Sequence, residues 1–241
     1  MFRKIFKIGL PIILIGIILL ISYNTYQKAH DVKSSPISVI PNNASIILQL
    51  NDIKKTGKLL DKYNIWDRLQ NIREVKEITN QIKEIGDFFI LNQNVFHSNS
   101  LFISFHKVSA KKNATLFSIT FDREFIKDNK GIVMLYANDI TTSEYDNKTI
   151  YFSKSLNKYF SFKDDILFYS KNRMLITDAI RISNKNTDDL FVDPTFSGCY
   201  RTISKSADIN LMLNYNNLFE LTNTFTVNTS KLTNFSENLL L

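Results

Sequence analysis

Three histidines, one cysteine and two acidic clusters are the side chains that could carry chemistry in this 241-residue chain. His30, His97 and His106 are scattered, and no two stand four apart, the spacing that sets two imidazoles on one helix face around a metal ion. His106 falls in an alternating apolar run and is read as an ordinary strand residue rather than a base or ligand. Cys199, in Gly198-Cys199-Tyr200, has no neighbouring general base to hold it as a thiolate. As the single cysteine it excludes an internal disulfide and a cysteine metal cluster, and its expected role is that of a small buried hydrophobe. Asp188, Asp189 and Asp193 could hold Ca²⁺, but they lack EF-hand spacing and a turn glycine, so a solvated loop is expected. Asp164 and Asp165 are adjacent, and adjacent strand residues face opposite ways, so they read as a hairpin turn rather than a catalytic carboxylate pair. Six glycines make no phosphate-binding loop, and no G-x-S-x-G occurs. Five N-x-[ST] sequons begin at Asn43, Asn113, Asn147, Asn228 and Asn234, as expected by chance in so Asn-rich a chain. The expectation is therefore no catalytic, cofactor-binding or metal-ligating residues and no bound cofactor.

The elements that must position these groups follow from periodicity. An alternating strand spans 44–50, and Asn51 or Asp52 can cap a helix over 53–63. A second short helix follows Asn64, and a longer one places Ile72, Val75, Ile78, Ile82, Ile85 and Phe89 in one apolar stripe. From residue 100 the period changes to two. Strands are predicted over 101–108, 115–121, 132–136, 149–153, 159–163 and 166–170. Asn172 can cap a helix over 173–182; 184–189 reads as a loop and 191–204 as partly helical. Helices followed by hairpin-like strands predict an α+β fold, with a helical segment over 52–91 packed on a mainly antiparallel sheet.

Ahead of this stands an uncharged segment, residues 8–26, long enough as a helix to cross the ~30 Å hydrocarbon core. Arg3, Lys4 and Lys7 precede it, which by the positive-inside rule keeps the N-terminus cytoplasmic. Bulky Ser22-Tyr23-Asn24-Thr25-Tyr26 offers no small-residue cleavage site, so an uncleaved transmembrane anchor is expected rather than a signal peptide. All twenty-three acidic residues lie at or beyond Asp31, whereas Arg3, Lys4, Lys7 and Lys28 flank the anchor. The remaining chain carries +3 of the total +7, too mild for a nucleic-acid-binding face.

Residues 44–51 (ASIILQLN) echo residues 207–214 (ADINLMLN), with five identities at an offset of 163. The predicted organisation is a cytoplasmic tip and anchor over 1–27, a linker over 28–43 and an α+β domain over 44–206. Residues 207–241 are expected to open a second, truncated repeat.

The order Ile40-Pro41-Asn42-Asn43-Ala44, Asn64-Ile65-Trp66, Ile103-Ser104-Phe105-His106-Lys107, 165–172 and Asp193-Pro194-Thr195-Phe196 resembles an uncharacterised family of Bacteroidetes envelope proteins, a domain of unknown function. The resemblance covers most of 36–220. It implies an envelope compartment and a longer chain, and it brings no activity or catalytic residues.

The functional expectation is a single-pass inner-membrane protein with its domain in the periplasm, acting as a non-enzymatic scaffold or binding module. Its expected partners are the inner membrane, through 8–26, and an envelope protein, with no nucleic acid and no small-molecule ligand. The rival is a periplasmic hydrolase or carbohydrate-acting enzyme assembled from distant His106, Asp164 and Asp193.

Overall fold

A computed structural model describes residues 35–52, 55–56, 100–109, 112–121, 139–185, 190–204 and 206–219, with isolated positions 19, 22 and 80. The fold is α+β. Eight strands form one sheet: β1 (Ala44–Leu50), β2 (Leu101–Ser109), β3 (Lys112–Thr120), β4 (Ile140–Tyr145), β5 (Lys148–Ser153), β6 (Lys158–Lys163), β7 (Ile166–Ser170) and β8 (Ile209–Leu213). Their order is β4-β5-β6-β7-β3-β2-β1-β8, and every neighbouring pair is antiparallel. Two helices, α1 (Arg173–Lys185) and α2 (Pro194–Thr202), and two 3₁₀ turns (Pro36–Val39 and Leu190–Val192) complete the described elements.

Alternation along the strands sorts side chains to two faces. On one, Ile47, Phe102, Leu116, Ile166 and Phe168 pack with Leu175, Ile176, Ala179 and Ile180, the helical stripe of α1. Asn172 starts that helix, accepting from the Met174 N–H at 2.9 Å. On the other face Leu50, Leu101, Ile103, Phe117, Phe160 and Tyr169 form a second buried cluster. An aromatic ladder runs across it: Phe117 stacks on Tyr169 at 4.8 Å and Tyr151 on Phe160 at 5.2 Å. With both faces buried, β7 (ILFYS) and the first half of β2 (LFISF) read as nearly continuous apolar runs.

Two hairpins close through two-residue turns. Asp146 and Asn147 both take positive φ (48° and 60°), which matches the turn to the right-handed twist of β4 and β5. Asp164, at φ 52°, turns β6 into β7, as the Asp-Asp pair predicts. Predicted strands and observed ones agree at β1, β2, β3, β5, β6 and β7 to within three residues.

Other expectations need correction. β4 is an additional strand without a sequence signal, because ITTSEY is polar and almost wholly exposed at the sheet margin, leaving no apolar alternation to detect. Helix α1 runs through Asn184 to Lys185, past the predicted loop start. The linker over 28–43 does not extend across 36–40: Pro36 opens a 3₁₀ turn, and Ile37, Val39 and Ile40 are at most 1 % exposed in the first cluster. The turn signals bracket a buried plug. Strand β8, beyond the predicted boundary at 206/207, belongs to the same sheet as β1. The helices over 53–63 and 72–89, the strand over 132–136 and the anchor over 8–26 lie outside the described residues, save for isolated positions. Among the described residues no helix is long and apolar enough to cross a membrane.

Candidate functional site

Because β1 and β8 run antiparallel, the start of one lies beside the end of the other. Ile46 faces Leu213, and the turn Pro41-Asn42-Asn43 comes next to the segment that follows β8. Asn214 caps that segment: its side-chain oxygen accepts from the N–H groups of Asn216 (3.1 Å) and Asn217 (3.3 Å), and residues 215–219 turn helical. The two chain segments are then laced together. Asn214 N–H donates to the Ser45 carbonyl at 2.9 Å, and the Ser45 hydroxyl donates to the Asn217 carbonyl at 2.9 Å. The Asn217 amide donates to the carbonyls of Asn42 (3.3 Å) and Ala44 (3.2 Å).

Helix α2 stands opposite. Pro194 fits its first turn, where no N–H is needed, and Asp193 caps it by accepting from the Thr195 N–H at 2.8 Å. Phe191 holds its inner side through edge contacts to Phe196 (5.5 Å) and Tyr200 (5.1 Å). Burial pushes the Tyr200 phenol above its ordinary range, against a weaker opposing hydrogen bond to Ser35.

Between α2 and the sheet lies a cleft of about 760 Å³. Buried Ala44, Ile47, Leu190 and Met212 form its base. Asn42, Asn43, Asn214, Asn216 and Asn217 supply amides along one side. Phe196 and Cys199 of α2 line the other, with Val192 (63 % exposed) and Tyr215 (80 % exposed) at the mouth. Asp193 is the one acidic residue among the lining residues, and its carboxylate is engaged in capping. Such a wall presents neutral hydrogen-bond donors and acceptors above an apolar base.

His106 lies behind this cleft. It is fully buried; its Nδ1–H donates to Asn43 Oδ1 at 2.8 Å, and its Nε2 accepts from the Ser104 hydroxyl at 2.8 Å. Burial lowers its pKa to about 3, so the ring is neutral and ties the Asn43 turn to β2.

No known protein family, curated protein or solved structure matches the chain.

The sequence candidates fall as follows. Asp193 and Cys199 share the cleft, and His106 stands behind its Asn43 side. Asp164 lies at the other end of the sheet: Ile166 pairs with Thr120, six residues along β3 from Ala114, the partner of His106. At ~3.3 Å per residue that is about 20 Å along the strands, far outside proton-transfer reach. The constellation of His106, Asp164 and Asp193 does not assemble. Cys199 is exposed rather than buried, a correction that follows from α2 having no fully buried residue. Asp164 and Asp165 are turn residues, and His30, His97, Asp188 and Asp189 lie outside the described residues. Among the described residues no three His, Cys, Asp or Glu could hold a metal ion. The cleft escaped the sequence because its walls come from 42–47, 190–199 and 212–217. The one signal was the repeated asparagine flanking both echoed strands.

Proposed function

We propose that this chain is a membrane-anchored, extracytoplasmic binding module of the cell envelope, which holds an uncharged, extended segment of a partner protein. The cleft carries the reading: its apolar base and amide side offer apolar contact and neutral hydrogen bonding, with the capping Asp193 the one acidic residue on the lining. The uncharged segment 8–26 after Arg3, Lys4 and Lys7 supports an inner-membrane anchor with the domain in the periplasm.

The native thiol of Cys199 provides the test, since it is exposed and lines the cleft. Cells producing the full chain, with the outer membrane permeabilised, are treated with a membrane-impermeant benzophenone maleimide and irradiated. The expected result is labelling without inner-membrane lysis and one dominant protein adduct that disappears when Met212→Trp fills the base of the cleft. Labelling only after lysis would overturn the compartment. Efficient labelling with no adduct beyond a Cys199→Ser control would overturn the binding role.

A further inference from the structure

Strand β8 forms one margin of the sheet, and its backbone phase identifies what it offers. The bonds from Asn214 N–H to Ser45 O (2.9 Å) and from Asn51 N–H to Asp208 O (3.0 Å) bracket the β1–β8 ladder. In an antiparallel ladder hydrogen-bonded pairs alternate with non-bonded ones, so Met212 and Asn210 bond to Ile47 and Gln49. The N–H and C=O groups of Ile209, Leu211 and Leu213 therefore aim outward, and no described residue pairs with them. The same three residues are 38 %, 57 % and 44 % exposed. The strand INLML contains no Lys, Pro or charge of the kind that ordinarily blunts an edge. Tyr215 and Phe219, 80 % and 66 % exposed, follow directly after it.

We infer that β8 pairs antiparallel with β8 of a second copy of this chain, about a two-fold axis at Leu211, joining two sheets into one. The occupant follows from the strand's own sequence. β8 already pairs with its likeness β1 in a register centred on Leu48 and Leu211, with Leu50 facing Ile209 and Ile46 facing Leu213. A β8–β8 pair centred on Leu211 sets the same residue types opposite one another, in the other hydrogen-bonding phase: Leu211 beside the partner's Leu211, and Ile209 beside the partner's Leu213. Self-pairing about a two-fold needs a patch complementary to itself, and an uncharged strand with Ile, Leu and Leu at alternate positions meets that condition. The outward amides of 209, 211 and 213 would all be satisfied by the matching groups of the copy.

Cross-linking of the full chain in detergent, on a Cys199→Ser background, decides the matter. In a hydrogen-bonded antiparallel pair the Cα atoms are ~5.5 Å apart, inside the disulfide window. Leu211→Cys is expected to give a disulfide-linked dimer under mild oxidation. Ile209→Cys alone is expected to give none, because its copies are four residues, about 13 Å, apart along the strands. Mixing Ile209→Cys with Leu213→Cys restores the link. Leu211→Lys, at an exposed position, is expected to keep the native circular dichroism and shift light scattering from twice the chain mass to the monomer. Equal cross-linking of Leu211→Cys and Ile209→Cys, or a wild-type monomer at ~100 µM with no Leu211→Cys cross-link, would overturn the inference.

Discussion

Leu48 and Leu211 face each other across β1 and β8, and they occupy the same position in the two echoed segments, 163 residues apart. The likeness noticed in sequence is thus a contact in space: two similar strands lie side by side, related by a local two-fold through this pair. Their environments still differ. Leu48 has a strand on each side, facing Ile103 as well as Leu211, whereas Leu211 is 57 % exposed.

That asymmetry predicts unequal costs. Leu48→Ala should lower unfolding free energy by about 1–2 kcal/mol, and Leu211→Ala by less than ~0.5 kcal/mol. The double variant should reveal a coupling of roughly 0.5 kcal/mol, typical of a cross-strand pair. Urea denaturation of all three, followed by tryptophan fluorescence, measures these differences.

His106 sets a pH dependence. Its folded pKa is about 3 against an ordinary 6.5, because the buried site disfavours the charged ring. Below pH 6.5 the unfolded chain takes up a proton that the folded chain does not bind until about 3. Folding stability from this group is therefore full above 6.5 and is lost as pH falls towards 3, by up to ~1.4 kcal/mol per pH unit. Comparing urea midpoints at neutral and acidic pH should show a smaller acid loss in His106→Gln than in wild type. His106→Ala should cost about 2–4 kcal/mol at neutral pH, since it leaves buried Ser104 and the Asn43 amide without their partner.

Asp193 is a cap, and its variants should behave as those of a cap. Asp193→Ala removes the acceptor for the Thr195 N–H and should cost about 1 kcal/mol, whereas Asp193→Asn keeps the oxygen and should cost a few tenths at most. A role as an ionised group would abolish that difference, with asparagine as damaging as alanine. Thermal melts of the two variants separate the cases.

Asn147 holds φ at 60°, a conformation that glycine adopts without a Cβ penalty. Asn147→Gly should be neutral or stabilising by up to ~0.5 kcal/mol. Asn147→Val, branched at Cβ, should destabilise by more than about 1 kcal/mol and fray the β4–β5 hairpin. Amide hydrogen exchange at Ser143 and Ile150, a hydrogen-bonded pair across that hairpin in phase with the turn-flanking Tyr145 and Lys148, reads the fraying directly.

The sequence was most legible where one periodicity served one face. Ile166 to Ser170 and the Asp164-Asp165 turn were predicted correctly because alternation and turn chemistry agree there. Helix α1 began where Asn172 said it would. Legibility failed at β4, whose residues bury almost nothing, and at 36–40, where prolines and serines mask a short plug into the core. The cleft was invisible for a different reason. Its parts carry no motif of their own, and they meet only because β8 returns to β1 after more than 150 residues of chain. His106 looked like an ordinary strand residue, and its buried bridge between Asn43 and Ser104 needed the turn at 41–43 to be folded against β2.

The two margins of the sheet are unlike each other. At β8 the outward strand is apolar and uncharged; at β4, at the far end, Thr141, Thr142, Ser143 and Glu144 are exposed. Growth by backbone pairing can thus begin at one end of the molecule but finds no welcome at the other. Among the described strands, two copies joined at β8 would present outward only the largely polar β4 margins, so the association would stop at a pair instead of running on into a fibre.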